Sequence, residues 1–414
     1  MSTIPTEAAG NRFVTLDLIR GIAVMGILSV NIIDFSMIQA AYLNPQAYRD
    51  ASTGDLILWS ANMLLVDGKF RSLFSMLFGA SMLLVIDRAE AAGEWGLGVH
   101  LRRMAALLLL GLAHAILIWR GDILSLYATS GIVAMLWARS SVTRMVLAAG
   151  VFAIVHAILF SAIAATLVHQ DLTAHSPGAS AEIIRNWNAN AGSFFPTAAD
   201  IAKDHAIYDS GWTTIVAHEW SKLWAIFSNS LALLPDTLSL MLLGMAAYRS
   251  GFFTGAWEDG TYRRIAKWGI GIGIAGHAVL VAADLMTGFY VPLVLGGFLA
   301  AMIPFRLAQA AGYAALIILW SRRESPAVRR FAAVGRTAFS NYIGTSLVCT
   351  AIFYGWGLGF YGDLSRVEAW TVVPAVWALM LLWSKPWLDR FRYGPFEWLW
   401  RSLARGRLQP MRKA

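Results

Sequence analysis

Charge is scarce in this sequence. Asp, Glu, Lys and Arg supply 14% of the 414 residues, while 57% are hydrophobic. A soluble domain usually carries about 25% charged residues, so an ordinary water-facing surface is excluded. Cysteine is scarcer still. The single Cys349 lies within an apolar run, and no intrachain disulfide can form. The chain also lacks a Walker loop, a dinucleotide fingerprint and a nucleophile elbow. No signal-peptide pattern ends in a small-residue cleavage site ahead of a soluble domain. The polar residues 1–12 lead directly into the first apolar run. His169, His175 and His205 lack tight metal-ligand spacing, and His218-Glu219 is too sparse for a zinc motif, so no metal is expected.

What the chain has is apolar length. A spanning helix takes about 20 apolar residues, and the mean hydropathy is +0.57. Runs at 13–33, 70–86, 101–119, 123–137, 142–168, 235–248, 265–286, 291–320, 337–356 and 370–388 predict an all-α, polytopic integral membrane bundle of about ten transmembrane helices. Pro292, Gly296-Gly297 and Pro304 interrupt the eighth run, which predicts a broken or kinked helix. Two stretches, 56–66 and 215–234, are too short or too polar for full spans and read as half-spans or interfacial helices. The organisation that follows is a cytoplasmic N-terminus (1–12), an N-terminal five-helix membrane half (13–168), an extracytoplasmic loop (169–213), a C-terminal membrane half (214–390) and a basic amphipathic cytoplasmic tail (391–414) lying on the inner leaflet. The segment LFSMLFGASML at 73–83 loosely echoes LSLMLLGMA at 238–246, a weak internal repeat.

The net charge of +8 and pI near 9.7 would suit a nucleic-acid binder. The cations sit elsewhere, in short connections: Arg88, Arg102 and Arg103; Arg139 and Arg144; Arg249, Arg263, Arg264 and Lys267; then Arg322, Arg323, Arg329, Arg330 and Arg336. Lys385, Arg390 and Arg392 follow in the tail. With ten spans and both termini cytoplasmic, all of these fall on one side, as the positive-inside rule requires. The expected partner is the lipid bilayer, with no nucleic acid. The 18 Trp residues concentrate near span ends, as an aromatic belt would.

Ionisable residues inside a bilayer are costly and mark functional sites by default. They gather at two depths. The inner group is Asp17 and Arg20 on the first span, with Arg336 and Asn341 on the ninth. Asp17 and Arg20 share a helix face at i, i+3. The group reads either as a structural ion pair with anchoring cations or as a site for a phosphate or carboxylate, which arginine binds bidentately. The outer group is Lys69 and Arg71 at the start of the second span, Arg120 and Asp122 in a tight hairpin, and His114 six residues before Arg120, so about 9 Å deeper. Asp67 and Asp236 lie near the same rim. An imidazole oriented by an acid can act as a general base near neutral pH, which makes His114 and Asp122 the catalytic candidates and Lys69, Arg71 and Arg120 the substrate-binding ones. The plainer alternative is a helix-end ion-pair cluster with His114 hydrogen-bonded in the bundle. His156 and His277 read as packing residues, although Asp284 shares a face with His277.

Several blocks carry a resemblance. RFVTLDLIRGIAVMGILSVNI at 12–32, DGKFRSLFSMLFGASM at 67–82, GLAHAILIWRGDILSLYATSGI at 111–132, GRTAFSNYIGTSLVCTAIFYGWGLGFYG at 335–362 and FRYGPFEWLWRSLARGR at 391–407 together resemble the YeiB-like bacterial inner-membrane proteins, a family of unknown function. That family is distantly similar to transmembrane acyltransferases such as heparan-glucosaminide N-acetyltransferase. The shared features are the D-x-x-R-G opening, matched by Asp17, Arg20 and Gly21, and the hairpin matched by Arg120 to Tyr127, which adds Tyr127 to the outer substrate-binding set. In that enzyme the catalytic histidine lies in the loop after the first span, whereas the stretch 34–55 here has no histidine. The resemblance implies a multi-pass protein of the bacterial inner membrane with acyl-CoA as a donor substrate and no resident cofactor.

Two functions fit these features. One is transfer of an acyl group from a cytoplasmic acyl-CoA, held by the inner group, to an extracytoplasmic glycan or lipid acceptor at the outer group. The alternative is a secondary transporter or flippase for an anionic small molecule or lipid, using the two groups as gates and the broken eighth helix as the moving part. A homodimer is compatible with either.

Overall fold

A computed structural model describes residues 6–48, 51–323 and 325–413. Residues 1–5 of the expected N-terminal segment lie outside the described residues. Where water is excluded, every backbone N–H and C=O must find a partner within its own segment, and a helix achieves this. The described chain is accordingly helical, with one isolated antiparallel bridge, Phe391 to Arg412.

The first helix, α1 (Thr6–Ser36), is followed by a short 3-10 turn, Gln39–Tyr42. A capping box of Ser52 and Asp55 starts α2 (Thr53–Leu65). Gly68, at φ 73°, adopts a backbone that favours glycine and turns the chain into α3 (Lys69–Ala91). Next come α4 (Gly96–Leu117), α5 (Leu124–Ala134, extended by a 3-10 turn to Trp137) and α6 (Val142–Ala174). The polar stretch expected as a loop holds α7 (Ala181–Gly192) and α8 (Ala198–Tyr208). After these lie α9 (Trp212–Ser221), α10 (Leu223–Arg249) and α11 (Asp259–Met286). The interrupted eighth run is α12 (Val291–Gly296), a π-helical segment Gly297–Ala301 and α13 (Ile303–Ser321). The rest is α14 (Pro326–Arg336), α15 (Ala338–Phe353), α16 (Arg366–Trp370), α17 (Val372–Arg390) and α18 (Pro395–Arg405).

Eight helical stretches among the described residues are long and apolar enough to cross a membrane: Val14–Ser36, Thr53–Ala91, Gly96–Leu117, Val142–Ala174, Leu223–Arg249, Asp259–Met286, Ile303–Ser321 and Arg366–Arg390. They match the first, second, third, fifth, sixth, seventh, eighth and tenth expected spans. The fourth and ninth correspond to the shorter apolar helices Leu124–Trp137 and Ala338–Phe353. The eighth is broken as its glycines and prolines predict.

Three expectations need correction. Residues 215–234 do not form one semi-polar helix ahead of a span beginning at Pro235. The break falls at Lys222, and α10 runs through Pro235, because a proline removes one backbone bond without forbidding the helix when neighbouring groups compensate. The fifth helix continues past residue 168 to Ala174. The tail does not simply lie flat on lipid. Its helix α18 docks on the bundle, where the Trp400 indole donates to the Arg103 carbonyl of α4 (2.7 Å) and Glu397 accepts from the amides of Phe339 (2.7 Å) and Ser340 (3.1 Å) at the start of α15.

Among the helix crossings that bring backbone against backbone, two involve α1 and α3. A Cβ on Gly79 of α3 would land on the Met241 carbonyl oxygen of α10, and one on Gly244 would land on the Met76 carbonyl oxygen. The two faintly similar segments are therefore the two sides of one crossing. Helices α1 and α14 repeat the arrangement, with Gly21 against the Phe331 oxygen and Gly335 against the Asp17 oxygen. In a bilayer, close packing of small residues replaces the hydrophobic effect as the force joining helices. A Gly244→Val variant is expected to lose about 1–3 kcal/mol, the usual cost of overpacking, seen as a lower thermal midpoint in detergent. Gly150→Ala, whose added Cβ meets nothing within 4 Å, is expected to leave the midpoint unchanged or raise it, since alanine is worth up to about 1 kcal/mol more than glycine within a helix.

Candidate functional site

One face of α1 carries Asp17, Arg20, Val24, Ile27, Asn31 and Asp34, at the i, i+3, i+4 spacing of a single stripe, and all of them line one cavity of about 1830 Å³. A face of α3, from Arg71 through Phe74, Phe78 and Val85 to Arg88, lines it too. Asp17 and Asp34 are about 25 Å apart along the helix axis, close to the roughly 30 Å of a bilayer's hydrocarbon core. The two polar groups of the sequence are therefore opposite ends of one space.

At the first end Arg20 donates to Asp17 (2.8 Å) and to the Ser81 hydroxyl of α3 (2.7 Å). Arg88, Arg103, Arg336, Arg392 and Arg401 line the same end. The Arg103 guanidinium lies 4.1 Å from the centre of the Trp400 ring, and that of Arg401 lies 4.5 Å from the Tyr393 ring. Glu397, the other acid here, is consumed by the α15 N-terminus and the Ser340 hydroxyl. Its burial raises its pKa above the usual carboxylate value, and the hydrogen bonds from Ser340 oppose the rise.

The second end is acidic and aromatic. Arg120 pairs with Asp34 (3.1 Å) and donates to the Tyr208 hydroxyl (2.8 Å), which in turn donates to Glu219 (2.6 Å). Burial lifts the Tyr208 pKa well above its ordinary value, against the pull of Arg120. The Tyr42 hydroxyl donates to Asp67 (3.1 Å). Arg71 of α3 and Arg306 of α13 both pair with Asp236 of α10, which is 2% exposed. Two guanidinium nitrogens here are buried without a hydrogen-bond partner and belong to residues of the cavity wall: Arg120 Nε and Arg71 Nη1.

His114 is held on both sides. Its Nδ1 lies 3.0 Å from Asp122 Oδ1 and its Nε2 lies 2.9 Å from Ser346 Oγ. A carboxylate only accepts, so Nδ1 carries the proton, while the Ser346 hydroxyl that meets Nε2 also donates to the Tyr342 carbonyl (3.3 Å). Asp122 also receives the amides of Leu124 (3.1 Å) and Ser125 (2.8 Å) at the start of α5. Asp122 reaches the cavity wall, and His114 and Ser346 stand behind it.

Of the residues selected from sequence, Asp17, Arg20, Arg336, Arg71, Arg120, Asp122 and Tyr127 line the cavity together. Lys69, Asn341 and His114 are buried outside its lining. The Lys69 ammonium donates to the Met63 carbonyl. Asn341 ties α15 to α17 by donating to the Ser384 hydroxyl (3.2 Å) and accepting from the Trp383 indole (2.8 Å). Tyr127 shares a hydrogen bond of 2.7 Å with Ser75. His277 meets the Gly273 carbonyl (2.7 Å) of its own helix and not Asp284. Sequence reasoning passed over Arg306, Asp34, Arg103 and Arg401. Arg306 had a signal, a lone cation in the middle of an apolar run.

Comparison with known proteins identifies a family. Residues 247–407 match the family described as "Protein of unknown function (DUF418)". The chain is 31% identical to the uncharacterized protein YxaH of Bacillus subtilis, over 100% of this chain and 99% of that protein. It is 32% identical to the uncharacterized protein YeiB of Escherichia coli, over 95% of this chain and 96% of that protein. The chain belongs to this YeiB-like family, and its eight long apolar helices make it a multi-pass membrane protein. No solved structure gives a significant match to it.

Removing Asp236 would leave two buried arginines unpaired. Asp236→Asn is expected to cost about 3–5 kcal/mol, the penalty for breaking a buried charge network, read as a drop in thermal midpoint. Asp389→Asn, which breaks an exposed pair with Lys385, is expected to stay within about 1 kcal/mol of the parent.

Proposed function

We propose that this protein is a transmembrane acyltransferase of the bacterial inner membrane, moving an acyl group from a cytoplasmic acyl-CoA to a hydroxyl or amine of an extracytoplasmic envelope acceptor, a glycan or a lipid. The observation that carries this reading is the cavity joining an arginine-rich end to an acidic end whose wall presents Asp122, with the His114 imidazole hydrogen-bonded behind it. The donor is polyanionic, and the end bearing Asp17, Arg20 and Arg336 has the charge to receive it. In this reading that end faces the cytoplasm, in keeping with the positive-inside distribution of Arg88, Arg103 and Arg336.

In the transfer step the acceptor's oxygen or nitrogen attacks the thioester carbonyl carbon. The new acyl bond forms, the carbon–sulfur bond breaks, and the acceptor's proton passes through the His114–Asp122 pair to the departing thiolate, giving the free thiol and restoring the pair. Asp122 presents this pair at the cavity wall, while Nδ1–H of His114 shares the charge that the carboxylate gains or loses. Arg120 and Arg71 line this wall, and each keeps one buried guanidinium nitrogen without a partner, so a turn of either side chain offers a donor to the acceptor or the developing oxyanion. Tyr127 lines the same wall, and Lys69 and Asn341 act from behind it by fixing helix ends.

One observation favours a second reading. Leu295, Phe298 and Leu299, in and beside the π-helical segment, line the cavity, so a rearrangement of that break would reshape it. This suits a transporter or flippase for an anionic solute or lipid.

Purified protein in nanodiscs, supplied with radiolabelled acyl-CoA and envelope extract, separates the two. Thioester consumption that falls by about 10²–10⁴-fold in His114→Ala, the usual weight of a general base, supports the enzyme. No thioester consumption, together with solute uptake into proteoliposomes that is lost in Arg20→Ala, supports transport and sinks the enzyme.

A further inference from the structure

The tail helix α18 does more than anchor. Arg103, Arg336, Arg392 and Arg401 converge on one end of the cavity and, among the described residues, make no ion pair with a carboxylate. Asp17 is taken by Arg20, and Glu397 is spent on the α15 N-terminus. Gathering like charges without acids is unfavourable unless an anion joins them. Burial, reinforced by the Arg405 and Arg88 cations and opposed by Tyr393 and Glu397, lowers the Arg401 pKa below its ordinary value. The group is held rather than loose. The Trp400 and Tyr393 rings hold the Arg103 and Arg401 guanidiniums by cation–π contact, which leaves guanidinium edges with donors to offer. The Trp400 indole fixes α18 to α4 at Arg103 itself.

We infer that α18 and the start of α4 form a binding site for a diphosphate-bearing ligand, with Arg103 and Arg401 as its principal donors and Arg336 and Arg392 as its flanks. A planar guanidinium binds phosphate oxygens in bidentate fashion, and a diphosphate offers charge for several of them. The ligand's identity as the acyl donor rests on the proposed reaction, whereas the site itself does not. The same diphosphate chemistry occurs in a soluble nucleotide and in the headgroup of a membrane lipid.

Binding is measured on the full-length protein in nanodiscs of neutral lipid, with coenzyme A, ADP, inorganic pyrophosphate and a lipid diphosphate as separate probes and no acyl group present. Expected is saturable binding, weakened at least tenfold in Arg401→Gln and further in Arg103→Gln/Arg401→Gln, with Arg401→Lys intermediate and Arg263→Gln unchanged. A thermal midpoint taken alongside identifies any variant that has lost its fold, and Arg401→Gln, on a peripheral helix, is expected to keep it. Binding of coenzyme A and ADP but not the lipid assigns a soluble ligand, and the converse assigns the lipid. Either supports the site, even if no acyl transfer is ever detected. Probes that bind the folded double variant as they bind the parent, or that weaken equally in Arg263→Gln, overturn it even if acyl transfer is confirmed.

Discussion

Backbone contact at glycine is the constraint on which this bundle depends. Gly79 and Gly244 let α3 and α10 cross with nothing between their chains, and Gly21 and Gly335 do the same for α1 and α14. Each contact is mutual, a glycine on one helix facing a carbonyl oxygen on the other. The α3–α10 crossing lies outside the cavity lining, while the α1–α14 crossing borders it, with Asp17 and Gly335 both on the wall. The remaining faces of α1 and α3 are then free to carry charge along a space that a uniformly apolar bundle would fill with side chains. Arg71 and Asp236 are separated by 165 residues, the same interval as Gly79 and Gly244, so the ion pair and the glycine contact belong to one symmetric crossing. Arg306 joins the pair from α13 and extends it to a third helix.

The two ends of the cavity use charge differently. At the acidic end both arginines that line the wall have a carboxylate: Arg120 has Asp34 and Arg71 has Asp236. Such pairs cost desolvation and return it only with good geometry and further hydrogen bonds, which Tyr208, Glu219 and Arg306 supply. At the other end guanidiniums outnumber available carboxylates, because Glu397 is occupied in capping α15. One end is therefore internally balanced, and the other is balanced by what it binds. That asymmetry suits a process with a polyanion on one side and a neutral or weakly charged partner on the other.

Much of the fold was legible in the sequence because a bilayer imposes length. Ten apolar runs were found, each with a helical counterpart, and the break at Gly296-Gly297 was visible because glycine and proline puncture an otherwise continuous pattern. The α9–α10 boundary was misplaced because Pro235 looks like a stop, yet α10 passes through it. In the site, the stripe from Asp17 to Asp34 could have been read from helical spacing alone. Lys69 and Asn341 share the composition of the site but not its surface, because which face a residue presents depends on partners distant in sequence, such as Met63 for Lys69 and Ser384 for Asn341. The role of Arg103 and Arg401 was hidden for the same reason: α4 and α18 meet only when the tail folds back across 297 residues.

One continuous cavity joins the two ends. Ile27 lies midway along the α1 stripe and lines the cavity. In a Cys349→Ala background, Ile27→Cys should react with a charged, membrane-impermeant thiol reagent in native membranes, while Leu147→Cys on the outer face of α6, where the residue is 66% exposed, should not. Protection of Ile27→Cys from both sides of the membrane, with normal reaction after unfolding, would contradict a continuous cavity and with it the coupling of the two ends.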